Sequence, residues 1–135
     1  MKHTIKCLLV IWITSLPFCL HAEETFKLAP NQQAFVLEHM KSMLETIGQM
    51  QFKLAEGKPQ EIAPLVKALQ KKQKATRPKG IGKSFPDGFR VLSKKMNQHW
   101  NNLKQPIHDP KVIHQELNQI LNQCNACHRS YQLER

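Results

Sequence analysis

Apolar residues recur along most of this chain at intervals of three and four, the spacing that gathers side chains on one face of an α-helix. Between residues 30 and about 56 they fall at Val36, Met40, Met43, Ile47, Met50 and Leu54, one unbroken seam. Pro30 suits a first helical turn, where its missing N–H would have no intrahelical partner anyway. Gly57-Lys58-Pro59 stops the run. A second helix is expected over 59–75, with Ile62, Leu65, Val66 and Leu69 as its apolar face and Pro64 tolerated in its first turns. Residues 76–84 read as a loop, since Pro78, Gly80 and Gly82 forbid a continuous helix. The third helix begins near Phe85-Pro86-Asp87 and presents Phe89, Leu92, Met96, Leu103 and either His99 or Trp100, ending before Pro106. From Pro110 a fourth helix carries Ile113, Leu117, Ile120, Cys124, Cys127 and Tyr131 on its seam.

No stretch alternates as a half-buried strand does, glycines are few, and no segment repeats. The expected fold is therefore all-α. Four seams joined by mostly short connections predict an antiparallel four-helix bundle forming one domain over 23–135. Residues 1–22 stand apart as an expected signal peptide: Lys2 and Lys6 precede an apolar run from Leu8 to Leu16, and Leu20-His21-Ala22 ends in a small residue. That run is short for a membrane span. Phe18 before Cys19 argues against a lipoprotein signal, which wants a small residue there. An uncleaved N-terminal anchor is the alternative. Cleavage after Ala22 would leave 113 residues with Cys124 and Cys127 as the remaining cysteines and a formal charge of +8.

Those two cysteines belong to Cys124-Asn125-Ala126-Cys127-His128. Two thiols three positions apart, followed at once by a histidine, are what covalent haem attachment needs. Each thiol adds across a porphyrin vinyl group, and His128 is then held to meet the iron. A dithiol redox site usually stands at a helix N-terminus after a strand, and here the motif ends a helical pattern. Structural zinc would need more donors than His108 and His114 with no second Cys-x-x-Cys. A disulfide within one helical turn would be strained and would leave His128 unexplained. One covalently attached haem c remains the expected cofactor. Export agrees with it, because bacterial c-type haem is joined to its protein outside the cytoplasm.

His128 on one side of the iron leaves the other side to be filled. Thioether sulfur is a good haem ligand, and Met40, Met43, Met50 and Met96 survive removal of the leader with Met1. Any one of them taken alone is better explained as flexible core filling. With the first helix antiparallel to the fourth, its N-terminal half comes level with the motif, which favours Met40 or Met43 over Met50. His39 stands just off the seam, where rim or solvent is the expected place for its imidazole.

The Cys-x-x-Cys-His on the last of four helices, a first helix ending in Glu56-Gly57-Lys58-Pro59, and Phe85-Pro86 after a loop resemble the class II c-type cytochromes, the cytochrome c prime family. The resemblance spans residues 30–132; its specific part is the haem motif. It implies Cys124 and Cys127 as covalent haem attachments, His128 as proximal axial ligand and, counting back from Pro59, Met40 at the distal position. A methionine there, and Val36 one turn earlier in place of an arginine, imply the low-spin branch. Gln132 after Tyr131 departs from the basic residue usual in the family; Arg129 stands nearby. The resemblance also implies a homodimer through the first two helices, which a lysine-rich second helix would oppose.

Charge narrows the partners. From Lys67 to Lys95 the chain carries +9, with Asp87 as the lone acid, leaving the rest of the mature chain nearly neutral. Such a face is either a solvated, self-repelling stretch or a docking surface for an acidic redox partner or an anionic membrane. Nucleic acid does not suit an exported protein. The expected function is a periplasmic monohaem carrier of single electrons, not an enzyme. The alternative is a five-coordinate haem protein binding nitric oxide or carbon monoxide. A peroxidase would need a distal acid and base, and His39 alone is at hand.

Overall fold

The structure, a computed structural model, describes residues 24–134. The expected leader, with Lys2, Lys6, Cys7 and Cys19, lies outside the described residues. Four helices make up most of the rest: α1 (Pro30–Ala55), α2 (Ile62–Thr76), α3 (Asp87–Asn102) and α4 (Pro110–Ser130). Their ends are written in local chemistry. The Gln32 side-chain oxygen accepts the Ala29 N–H at 3.3 Å at the start of α1. At its end Gly57 takes φ +71°, a left-handed conformation that glycine adopts without a Cβ clash. The Gly57 and Lys58 N–H groups then donate back to the carbonyls of Leu54 and Lys53, at 3.0 and 2.9 Å. Pro59–Glu61 forms a single 3-10 turn before α2, so the second helix is entered one turn later than its sequence suggests. The Asp109 carboxylate caps α4 by accepting the Lys111 N–H at 2.9 Å, with Pro110 at the first helical position.

The seams become the core. Met50 from α1, Ile62 and Val66 from α2, Trp100 from α3, Leu103 just after it, and Ile113, Leu117 and Ile120 from α4 meet in one buried cluster. α1 packs chiefly on α2, and α3 on α4. The choice between His99 and Trp100 is settled by this packing: Trp100 is buried, while the half-buried His99 bonds Glu116 of α4 at 2.7 Å. Ser42 and Thr46 are buried as well. Thr46 satisfies its hydroxyl by donating to the Ser42 carbonyl at 2.8 Å, and Lys72 of α2 donates to the Ser42 hydroxyl at 3.0 Å while pairing with Glu38 at 2.9 Å.

Three features depart from the sequence expectations. First, α4 ends at Ser130, and Tyr131 opens a strand, β2 (Tyr131–Leu133), that pairs in parallel with β1 (Glu24–Phe26). Each strand has three residues, too few for an alternating pattern to show. Thr25 stands opposite Gln132, and Glu134 donates its N–H to the Phe26 carbonyl at 3.1 Å, so the approach to α1 is clasped to the exit from α4. Second, four rings gather beside this clasp. Phe85 and Phe89 stack at 4.5 Å between centroids, with Phe26 tilted against Phe89 at 5.5 Å and Tyr131 set edgewise to it at 5.6 Å. Gly88 leaves room for the Tyr131 hydroxyl, which any Cβ there would strike.

Third, the 76–84 connection is not merely surface loop. Its Ile81–Ser84 portion is a 3-10 turn, entered through Gly80 at φ +76°, and it drives Ile81 into a second cluster with Leu28 and Val36. Ile81 is only 1% exposed. Replacing Ile81 by alanine should therefore cost about 2–5 kcal/mol, seen as a lower denaturant midpoint at unchanged slope. A loss below about 0.5 kcal/mol would mark the connection as peripheral.

Candidate functional site

The helices do not close completely on one another. A cavity of about 480 Å³, lined by residues of all four, opens beside the buried cluster. That volume is in the range of small-molecule and cofactor sites. From α4 it is lined by Leu121, Cys124, Cys127 and His128. The seam that buries Ile113, Leu117 and Ile120 continues by the same spacing into the two cysteines, so helical periodicity alone turns them inward. Cys127 is 9% exposed, Cys124 is half-buried, and both thiols are free. His128, one residue past the seam, is exposed at the surface and borders the cavity.

α1 supplies two of the candidate methionines. Met40 is half-buried and packs against both apolar clusters, and Met43 is 8% exposed within the larger one. Both line the cavity, as does Met96 of α3. Met50 is fully buried in the main core and does not.

His39 also lines the cavity, and it is not the solvated rim residue its sequence position suggests. Its ring stacks on Phe35 with centroids 5.9 Å apart. Burial first, then the positive charge of Arg77, bring its pKa down to about 4, so the ring is neutral at ordinary pH. Nε2 is already engaged by the Gln73 side-chain amide. This holds whichever way the amide is turned, because it can donate through nitrogen or accept through oxygen.

Burial, and for Cys127 also the neighbouring Cys124, raise the thiol pKa values, that of Cys127 to about 11. A reactive dithiol needs the opposite, an electropositive setting that favours thiolate. His108 and His114 are exposed, and among the described residues no three His, Cys, Asp or Glu side chains gather into a metal-ion group. Gln132 is exposed in β2, and neither it nor Arg129 lines the cavity.

Several lining residues were not singled out from the sequence. Gln73 and Arg77 continue the α2 face at four-residue steps beyond Leu69, a signal their polarity masked. Phe35, Ile81 and Phe85 reach the cavity through the second cluster and the 3-10 turn. No Asp or Glu lines it among the described residues. The whole arrangement offers an apolar chamber, two thiols able to form thioethers, an imidazole beside them on α4 and a thioether sulfur on α1.

No family model matches the chain, and neither a curated protein nor a solved structure matches it.

Proposed function

We propose that this protein is a monohaem c-type cytochrome that carries single electrons, with haem joined covalently to Cys124 and Cys127, His128 as proximal ligand and Met40 as distal ligand. The observation that carries this reading is that one apolar cavity is lined by both thiols and His128 from α4 and by Met40 from α1. Bound there, haem supplies an iron that gains and loses one electron. The chain does the rest. Each Cys S–H adds across a vinyl C=C with no leaving group. His128 would offer imidazole nitrogen and Met40 thioether sulfur to the iron, and a pair of such ligands kept in both oxidation states would leave little to rearrange on electron transfer. The apolar walls exclude water and favour the less charged, reduced state.

Met40 is preferred to its neighbours for different reasons. Met43 belongs to the main core cluster, whereas Met40 lies between the two clusters and is only half-buried. His39 has its Nε2 committed to Gln73. The clasp between β1 and β2 supports an antiparallel four-helix bundle, since it holds the start of α1 beside the end of α4. These features agree with the low-spin branch of the class II cytochromes. An exported, periplasmic location follows from the leader pattern. The basic stretch from Lys67 to Lys95, in which Lys72 pairs with Glu38 and Arg90 with Asp87, suits an acidic redox partner that electrostatic steering would bring in.

Expressed in a host with haem-maturation machinery, the protein should begin near Glu23 and show a low-spin visible spectrum in both oxidation states. A colourless product from such a host, or a high-spin spectrum in both states, would overturn the carrier reading.

A further inference from the structure

The polar groups of the cavity are unevenly placed. α4 brings apolar Leu121, the two thiols and His128, whereas Gln73 and Arg77 come from the end of α2 and Ser93 and Asn97 from α3. Arg77 has no carboxylate within ion-pair distance among the described residues. Arg77 nonetheless lines the cavity itself, together with both thiols and His128.

We propose that Arg77 binds the carboxylates of the porphyrin, with Gln73 and Asn97 as amide neighbours, an assignment that rests on the haem reading above. A porphyrin carries its vinyl groups on one part of its periphery and its two propionates on the other. Thioethers to Cys124 and Cys127 would hold the vinyl side against α4. The propionates then have to be met by groups from other elements. Carboxylates beside apolar walls are costly unless paired, and among the described residues no acid pairs with Arg77. A guanidinium presents a planar fork that matches a carboxylate, which an ammonium does not.

The charged and titratable groups lining the cavity beside Arg77 are His39 and Lys41 from α1 and Cys124, Cys127 and His128 from α4, while Lys74 of α2 and Arg90 and Lys94 of α3 border the adjoining grooves. The nearby acids are occupied: Glu38 by Lys72, and Asp87 by Arg90. Arg77 is therefore positioned to keep the propionates ionised into the acid range. Reduction adds negative charge at the iron and raises their proton affinity. The midpoint potential accordingly falls with rising pH only between the oxidised-state and reduced-state propionate pKa values.

The test is the midpoint potential of the full haem-loaded protein against pH, for the wild type and for Arg77→Gln, Arg77→Lys and Arg90→Gln. Arg77→Gln should move the sloping window to higher pH and lower the potential on the alkaline side of it. Arg77→Lys, which keeps the charge without the fork, should recover most of the alkaline potential. Arg90→Gln should leave the curve in place, because Arg90 borders the adjoining groove rather than the cavity. An Arg77→Gln curve that overlays the wild type overturns the assignment. So does an Arg90→Gln shift as large as that of Arg77→Gln, which would reflect only the summed field of the basic segment. Wild-type protein without covalent haem overturns the underlying haem reading itself, before any potential is measured.

Discussion

Replacing either Cys124 or Cys127 by alanine is expected to abolish most accumulation of coloured protein, and replacing both to leave no covalently bound haem. The reason is that both thiols stand on the inward seam of α4, three residues apart and lining one cavity, the spacing that attachment to two vinyl groups of one porphyrin needs. Wild-type protein should gain the mass of one haem and keep its colour through acid-acetone extraction. A single variant keeps one thioether at best. The effect should exceed loss of a bond, because the cavity walls need covering. Leu44 is 67% exposed and Leu121 37%, and both line the cavity, so on the haem proposal a chain left without haem would present this apolar surface to water. Colour that extracts from the wild type, with a mass equal to the bare chain, would refute covalent attachment.

Met40→Ala and Met43→Ala, three residues apart on α1, are expected to fail in different ways. Met40→Ala should abolish the weak near-infrared charge-transfer band of methionine bound to ferric iron and admit carbon monoxide to the reduced protein. Its cost in packing should be the smaller of the two, since the side chain is only half-buried. Met43, at 8% exposure in the main cluster, should cost about 2–5 kcal/mol on truncation while leaving the near-infrared band in place. Spectrum and stability together thus separate ligation from packing. Wild-type protein that is high-spin in both states would remove Met40 as a permanent ligand and promote binding of nitric oxide or carbon monoxide. A bis-histidine spectrum would instead require His39 to give up Gln73, and His39→Ala would then be the variant that changes spin state.

What could be read from the chain was whatever depends on neighbours within a turn or two. Three-and-four spacing identifies a buried face without knowledge of its partner, and it placed Val36, Met43, Ile47 and Met50 of α1 correctly, as it did Ile113, Leu117 and Ile120 of α4. Gly57 and the two helix-opening prolines, Pro30 and Pro110, mark boundaries because they act on the backbone locally. The same logic turned Cys124 and Cys127 inward. Tertiary structure decided the rest, because it joins residues whose separation along the chain carries no periodic signal. Thr25 meets Gln132 in a strand pair too short to alternate. Ile81 is buried by a turn that glycine and proline had marked only as irregular. Tyr131 leaves the helical seam because its ring finds Phe89 and the gap at Gly88. Gln73 and Arg77, polar at positions that continue an apolar face, reach the cavity because α1 and α3 leave space there. Helix faces follow from local spacing, but a cavity is set by how far several faces stand apart, and only their packing fixes that distance.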